Sequence, residues 1–243
     1  MKFTYEAYKE LLQLLISQNY EFANYRDWVM KNRCVILRHD IDNDIEKALT
    51  LAKIEHNMGV KSTYFVLVTS DFYNIFSAKS KKMLDEIFEC GHNIGLHFDE
   101  VRYPECRTSD NVKELIIQEA DILSKALGKP VDTVSMHRPS KMILEADLQI
   151  PGMINSYGQT YFKEFKYLSD SRRRWREPVE DIITTGAFNK LHILTHAIWY
   201  NENEMDIHES IKMFVNAANR QRYIAEHENI TDLDSIMMEK EVL

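Results

Sequence analysis

No run of eighteen apolar residues occurs in the 243-residue chain, so no segment is expected to span a membrane. Cysteine is scarce. Cys34, Cys90 and Cys106 are odd in number and show no paired spacing, which excludes a zinc–thiolate site and points to a reducing compartment. The opening residues 1–6 lack the apolar core of a secretion signal, so the expected location is the cytosol. No linker rich in Pro, Gly or Ser breaks the chain, and neither internal repeats nor low-complexity segments occur. No glycine-rich phosphate loop follows any predicted strand, which weighs against an open nucleotide-binding sheet. Concentrated positive charge is also missing. The net charge is -8, and the basic run Arg172-Arg173-Arg174 with Arg176 is flanked by acids. That run reads as a local anion-binding or salt-bridging loop, and no nucleic-acid partner is expected.

What is present is an alternation of helical and strand patterns. Residues 4–18 carry Tyr5, Tyr8, Leu11, Leu12 and Leu15 at helical spacing behind the cap Thr4. A buried strand over 34–40 is followed by a helix bearing Ile45, Ala48, Leu51, Ala52 and Met58 and stopped at Gly59. Strands at 63–68, 93–97 and 131–136 alternate with helices at 80–90 and from Asp110 to Leu127. Shorter strands are expected at 153–157 and 165–168, with a clearer one at 190–195. A long last helix at about 205–226 is expected to bury Ile207, Ile211, Phe214, Val215 and Ala218. Six or seven strands alternating with helices predict an α/β fold. The expected form is a distorted (β/α)7 barrel, closed or incomplete, with an N-terminal helix and a long C-terminal helix, making residues 1–243 a single domain.

Polar groups collect where these strands end. The apolar run Val35-Ile36-Leu37 gives way to Arg38, His39, Asp40 and Asp42, and alternation places Asp40 and Asp42 on one side. Two carboxylates meeting where a buried strand surfaces are costly without a cation. The bland alternative is a helix N-cap with solvated acids. His97 and Asp99, His137 and Arg138, and His196 follow three further strands. In β/α barrels the carboxyl ends of the strands share one face, so four segments deliver acids, imidazoles and a guanidinium to the same place. The remaining histidines have structural readings: His39 and His192 are expected to turn away from the site, and His56, His208 and His227 lie on helices or their ends.

In these motifs the chain resembles the polysaccharide deacetylase family, metal-dependent carbohydrate esterases that remove acetyl groups from N-acetylated sugars. The matching stretches are Arg38-His-Asp-Ile-Asp42, Gly91-His-Asn-Ile-Gly-Leu-His97, His137-Arg-Pro-Ser140 and His192-Ile-Leu-Thr-His196. Tyr167-Leu-Ser-Asp-Ser171 and Trp175-Arg-Glu177 resemble a branch met in surface-polysaccharide (lipopolysaccharide or capsule) biosynthesis. The resemblance implies that Asp40 is the catalytic base, Arg138 the group that orients it, and His196 the acid that protonates the leaving amine. It implies Asp42 and His97 as metal ligands, and a divalent metal ion, zinc first, as the cofactor. Trp175 and Trp199, with Tyr200, offer aromatic faces for a sugar ring, core packing being the alternative.

One departure stands out: the family's second motif has another His four residues after the first, and here that position is Val101. His137, arriving from a neighbouring strand end, is the first candidate for the missing ligand, Asp99 the second, and His92 is turned away by parity. The expected function is N-deacetylation of an amino sugar or glycan precursor, free or nucleotide- or lipid-linked. A deformylase or small-amide hydrolase on the same scaffold is the first rival, and a glycan-binding domain with impaired catalysis the second.

Overall fold

The computed structural model describes residues 1–104 and 108–242; Cys106 falls outside them. Contacts divide the chain into two compact units, 1–202 and 203–243. In the first, eight strands form one wholly parallel sheet: β1 (Glu21–Ala23), β2 (Cys34–Ile41), β3 (Thr63–Val66), β4 (Asn93–Phe98), β5 (Thr133–Met136), β6 (Ile154–Asn155), β7 (Lys166–Ser169) and β8 (Lys190–Thr195). The order is β6-β5-β4-β3-β2-β8-β7, with β1 beside the first half of β2. No ladder joins β6 to β7 among the described residues, so the barrel is incomplete. Around the sheet lie α1 (Tyr5–Ser17), α2 (Ile45–Asn57), α3 (Ala78–Glu89), α4 (Ser109–Leu127), α5 (Lys141–Ala146), α6 (Gln159–Lys163) and α7 (Val179–Thr185).

Local chemistry sets the helix starts. Thr4, Asp44, Ser77, Thr108 and Ser140 each accept a backbone N–H in the first turn. Asp44 rather than Asp40 or Asp42 caps α2, which leaves the other two carboxylates free for other partners. The α4 cap is Thr108 and not Asp110, which sits inside the first turn where an acid suits the dipole.

β2 is buried along its whole length and serves two cores. Val35, Leu37 and Ile41 pack outward with residues of the helices, among them Tyr8, Leu12, Ala48 and Leu51. Cys34 and Ile36 pack inward with Phe65, Tyr25, Tyr161 and Phe165. Further along the inner side, Gly95 accommodates the Phe65 ring: a Cβ there would stand 2.5 Å from its edge. The Arg38 guanidinium lies over that ring, 5.3 Å from its centre.

On the outer side His39 joins a fully buried polar network. Its Nε2 lies 2.7 Å from Glu55 Oε1 and its Nδ1 lies 2.6 Å from Thr195 Oγ1, which ties β2 to β8. Glu55 also accepts from the hydroxyls of Tyr8, Ser62 (2.7 Å) and Tyr64 (2.8 Å). Burial would raise the Glu55 carboxyl, but His39 beside it and the bonds it accepts bring it down to about 2. His39 therefore faces away from the strand-end carboxylates, as expected. His192 does not. It shares the parity of His196 and projects into the barrel interior, where its Nε2 is 2.8 Å from the Tyr25 hydroxyl. Four residues of strand put it about 13 Å below His196, outside the site by depth rather than by direction.

The unit 203–243 holds α8 (Ile207–Asn229), started by a capping box of Asp206 and Glu209, and α9 (Leu233–Ile236). The Tyr223 hydroxyl donates to Asp234, and His227 Nε2 lies 3.2 Å from the same carboxylate, so α9 occupies the Tyr223 side of α8. Of the stripe expected to be buried, Ile207, Ile211 and Val215 are instead exposed, Ile207 at 49% and Val215 at 53%, while Phe214 and Ala218 are half-buried. The short α9 lies on the Tyr223 side, and the single turn Glu239–Glu241 is tied to Arg220.

Replacing Glu55 by Ala strands four donors in an apolar layer. Urea unfolding of Glu55→Ala is expected to show a loss of about 3–5 kcal/mol. The folded-state value lies below that of the unfolded chain, so the contribution is present above pH about 4.5 and disappears as pH falls toward 2. An unchanged midpoint would contradict the network's role.

Candidate metal centre and active site

Every strand here is parallel, so the carboxyl ends of β2, β4, β5, β7 and β8 share one end of the sheet. Asp42 follows β2, His97 is the penultimate residue of β4, and His137 follows β5. His97 and Ser135 are register partners, and the His137 N–H donates to the Phe98 carbonyl at 2.7 Å, which sets the two imidazoles side by side. Asp42 Oδ1 is 3.2 Å from His97 Nε2 and 3.3 Å from His137 Nδ1, and the two nitrogens are 3.2 Å apart. This near-equilateral triangle is the only group of three or more ligating side chains found among the described residues.

A divalent cation fits it. Ligands about 2.0–2.1 Å from a zinc ion in tetrahedral arrangement are separated by about 3.3 Å. Asp42 Oδ1 is buried and accepts no hydrogen bond. His97 Nδ1 is 2.8 Å from Ser135 Oγ, so a proton held there leaves the Nε2 lone pair directed at the triangle. Burial would raise the Asp42 carboxyl, but His137 and His97 hold it far below the usual range.

The third corner is His137, not residue 101. Val101 is exposed in the single turn Glu100–Arg102 and reaches nothing in the triangle. Asp99 is engaged elsewhere, accepting from Arg138 and from the Val101 N–H. His92 lies at the opposite end of β4, its Nε2 3.0 Å from the Ala52 carbonyl.

Asp40 lies one strand step below Asp42 on the same face, its Oδ2 3.7 Å from His97 Nε2. Arg38, fully buried, donates to both its oxygens, Nε to Oδ1 at 3.1 Å and Nη2 to Oδ2 at 2.7 Å. Arg38 also donates to Ser135 at 2.9 Å and Ser156 at 3.1 Å. Burial pushes the Asp40 carboxyl up, and the Arg38 charge beside it brings it below the ordinary value, so it is ionised at neutral pH.

The expected orienting group, Arg138, does not reach Asp40. It is half exposed and bonds Asp99, its left-handed backbone (φ +51°) turning the chain ahead of Pro139. Arg38 holds that place, and its signal was parity: residues 38, 40 and 42 share one face of a strand.

His196 stands on the other side of Asp42, Nε2 to Oδ2 3.9 Å. Its Nδ1 is 2.6 Å from Asp170 Oδ1, and its backbone N–H donates to Asp170 Oδ2 at 3.1 Å. Burial would lower the imidazole, but the fully buried Asp170 pushes it up to about 9, so it carries a proton at neutral pH. Asp170 directly follows β7, and a carboxylate at a strand end was its signal. Trp175 and Trp199 are half-buried against the helix-side core, each with its indole nitrogen buried and without an acceptor.

No protein-family model and no curated protein matches the chain. Solved structures do. A CE4 family pseudoenzyme from Bacillus anthracis is 15% identical with TM-score 0.43, covering 79% of this chain and 62% of its own. A family 4 carbohydrate esterase from Streptomyces lividans in complex with acetate is 12% identical with TM-score 0.46, covering 69% and 80%. The chitin deacetylase of the fungal pathogen Colletotrichum lindemuthianum is 14% identical with TM-score 0.44, covering 76% and 81%. The chain thus spans less than two thirds of the B. anthracis protein. At identities and TM-scores this low, the fold and the chemistry of the site rest on the chain's own geometry.

If the triangle is the metal site, His137→Ala removes one of its three protein ligands. Zinc titration against a chromogenic chelator is expected to show at least about a hundredfold weaker binding, with Val101→Ala unchanged. Equal affinity in the two variants would contradict the assignment of His137.

Proposed function

We propose that this chain is a metal-dependent hydrolase that removes an N-acetyl group from an amino sugar or glycan precursor. The observation that carries the reading is the placement of an ionised carboxylate and a protonated imidazole on either side of a three-ligand cation site. Asp42, His97 and His137 would hold the cation, and a set of two imidazoles and one carboxylate suits zinc. A bound divalent cation polarises an acyl carbonyl and acidifies water. Asp40, kept charged by Arg38, takes a proton from the attacking water. His196 gives its Nε2 proton to the amine nitrogen as the carbon–nitrogen bond breaks, without which an amine leaves poorly.

Two further observations support a catalytic site over a binding-only domain. His137 supplies the corner that Val101 lacks, and the base and the acid each have a dedicated buried partner of opposite charge. Trp175 and Trp199, both half-buried, remain proposed sugar contacts. No helix among the described residues is long and apolar enough to cross a membrane. A cytosolic role on a precursor accords with the free thiols of Cys34 and Cys90.

With zinc-loaded protein and an N-acetylated amino sugar, acetate and free amine are expected in equal amounts. Asp40→Asn should lower turnover by about 10²–10⁴-fold while metal content stays at one per chain. Formate release in place of acetate would move the reading to a deformylase. Undiminished turnover in Asp40→Asn would remove the base. The rate should fall as pH rises through about 9, where His196 loses its proton. In Asp170→Asn that limb should shift toward the ordinary histidine range near 6.5. An unmoved limb would contradict His196 as the acid.

A further inference from the structure

The arginine run lies at the same end of the sheet as the metal ligands. β7 is hydrogen-bonded to β8, and the chain leaves β7 through Asp170, the partner of His196, directly into Arg172, Arg173, Arg174 and Arg176. Two residues of chain hold the Arg172 Cα within about 7 Å of that of Asp170. The loop is pinned at its root: the Arg174 N–H donates to the Asp170 carbonyl at 3.1 Å, and the Ser171 N–H donates to Ser169 Oγ at 3.1 Å. Arg172 and Arg173 both have left-handed backbone, φ +59° and +56°. Two consecutive non-glycine residues in that region are uncommon and persist only where their surroundings hold them.

The charges of this loop are not neutralised within the protein. The two carboxylates that flank the run are engaged, Asp170 with His196 and Glu177 with Lys166 at 2.5 Å. Arg172, Arg174 and Arg176 are exposed, and no carboxylate of the described residues pairs with them. Arg173 is partly buried, its guanidinium over the Phe3 ring at 4.9 Å and its Nε buried with no acceptor. In a chain of net charge -8, four arginines within five residues at the cation site's end of the sheet, with an orphaned donor among them, call for an anion from outside. Guanidinium is the side chain best shaped for phosphate, presenting parallel N–H donors to two oxygens.

We propose that this loop binds the phosphate of the substrate, which makes that substrate a phosphorylated or diphosphate-linked N-acetyl sugar and not a neutral glycan. The substrate class rests on the hydrolase reading; the phosphate site does not. Metal-stripped protein titrated with inorganic pyrophosphate tests the site alone. R172E/R174E is expected to weaken binding at least tenfold, about the value of one charge-assisted bond. The size-conserving R172Q/R174Q should act in the same direction. K61E/K129E, a double reversal in the loops that enter β3 and β5 at the other end of the sheet, should bind as wild type. No binding by wild type, or equal binding by R172E/R174E, overturns the site.

The zinc-loaded protein then separates the two readings. Wild type should favour uridine diphosphate N-acetylglucosamine over free N-acetylglucosamine by at least about tenfold in kcat/KM, and R172E/R174E should bring the ratio near one. Turnover without that preference, or a preference for an uronate-bearing oligosaccharide, overturns the substrate class and leaves the hydrolase standing. No turnover on any sugar, with pyrophosphate binding still governed by the arginines, overturns the hydrolase and leaves the phosphate site.

Discussion

A guanidinium with no access to water organises the interior of this barrel. Arg38 is fully buried, and leaving it unpaired would cost several kcal/mol, so its donors must be met by fixed acceptors. Asp40 takes two of them with both oxygens, and Ser135 and Ser156 take two more from β5 and the end of β6. One cation thereby draws three separate segments together. Ser135 is also within 2.8 Å of His97 Nδ1, so the contact that satisfies Arg38 orients a ligand of the triangle. The strand-end carboxylates tolerate each other because each has its own partners, the Arg38 guanidinium against Asp40 and the imidazoles of His97 and His137 against Asp42.

The two sides of β2 divide the work. Its inward residues, Arg38 and Asp40, continue in Asp42 toward the site, while His39 on the reverse is fastened through Thr195 to β8 and through Glu55 to α2. Thr195 immediately precedes His196. The buried network behind the sheet thus fixes the relative height of β2 and β8, and with it the gap between Asp42 and the proposed acid. Stability and site geometry are set by the same strand, read on alternate residues.

Much of this was legible in the sequence because period-two alternation needs no knowledge of packing. The outward turn of His39 follows from it, the parallel α/β scaffold follows from strands alternating with helices, and the meeting of Asp42, His97 and His137 follows from their places at strand ends together with the family resemblance. The misread residues show where the signal ends. Arg38 and Arg138 are both arginines beside a site motif, and only burial distinguishes the one that holds Asp40 from the one that holds Asp99. His192 has the same parity as His196, so its distance from the site is a matter of depth in the barrel. α8 has a genuine apolar stripe, but periodicity reports that a stripe exists and not whether a partner covers it. Asp170 follows a strand that the sequence shows, but its pairing with His196 crosses between strands and leaves no local signal.

The central claim is that Asp42 Oδ1, His97 Nε2 and His137 Nδ1 share one cation. A crystal grown with zinc and measured on both sides of the zinc absorption edge tests it most directly. The account predicts a single strong anomalous peak about 2.0–2.2 Å from each of those three atoms. A peak elsewhere, or none at the triangle with zinc in excess, would contradict it.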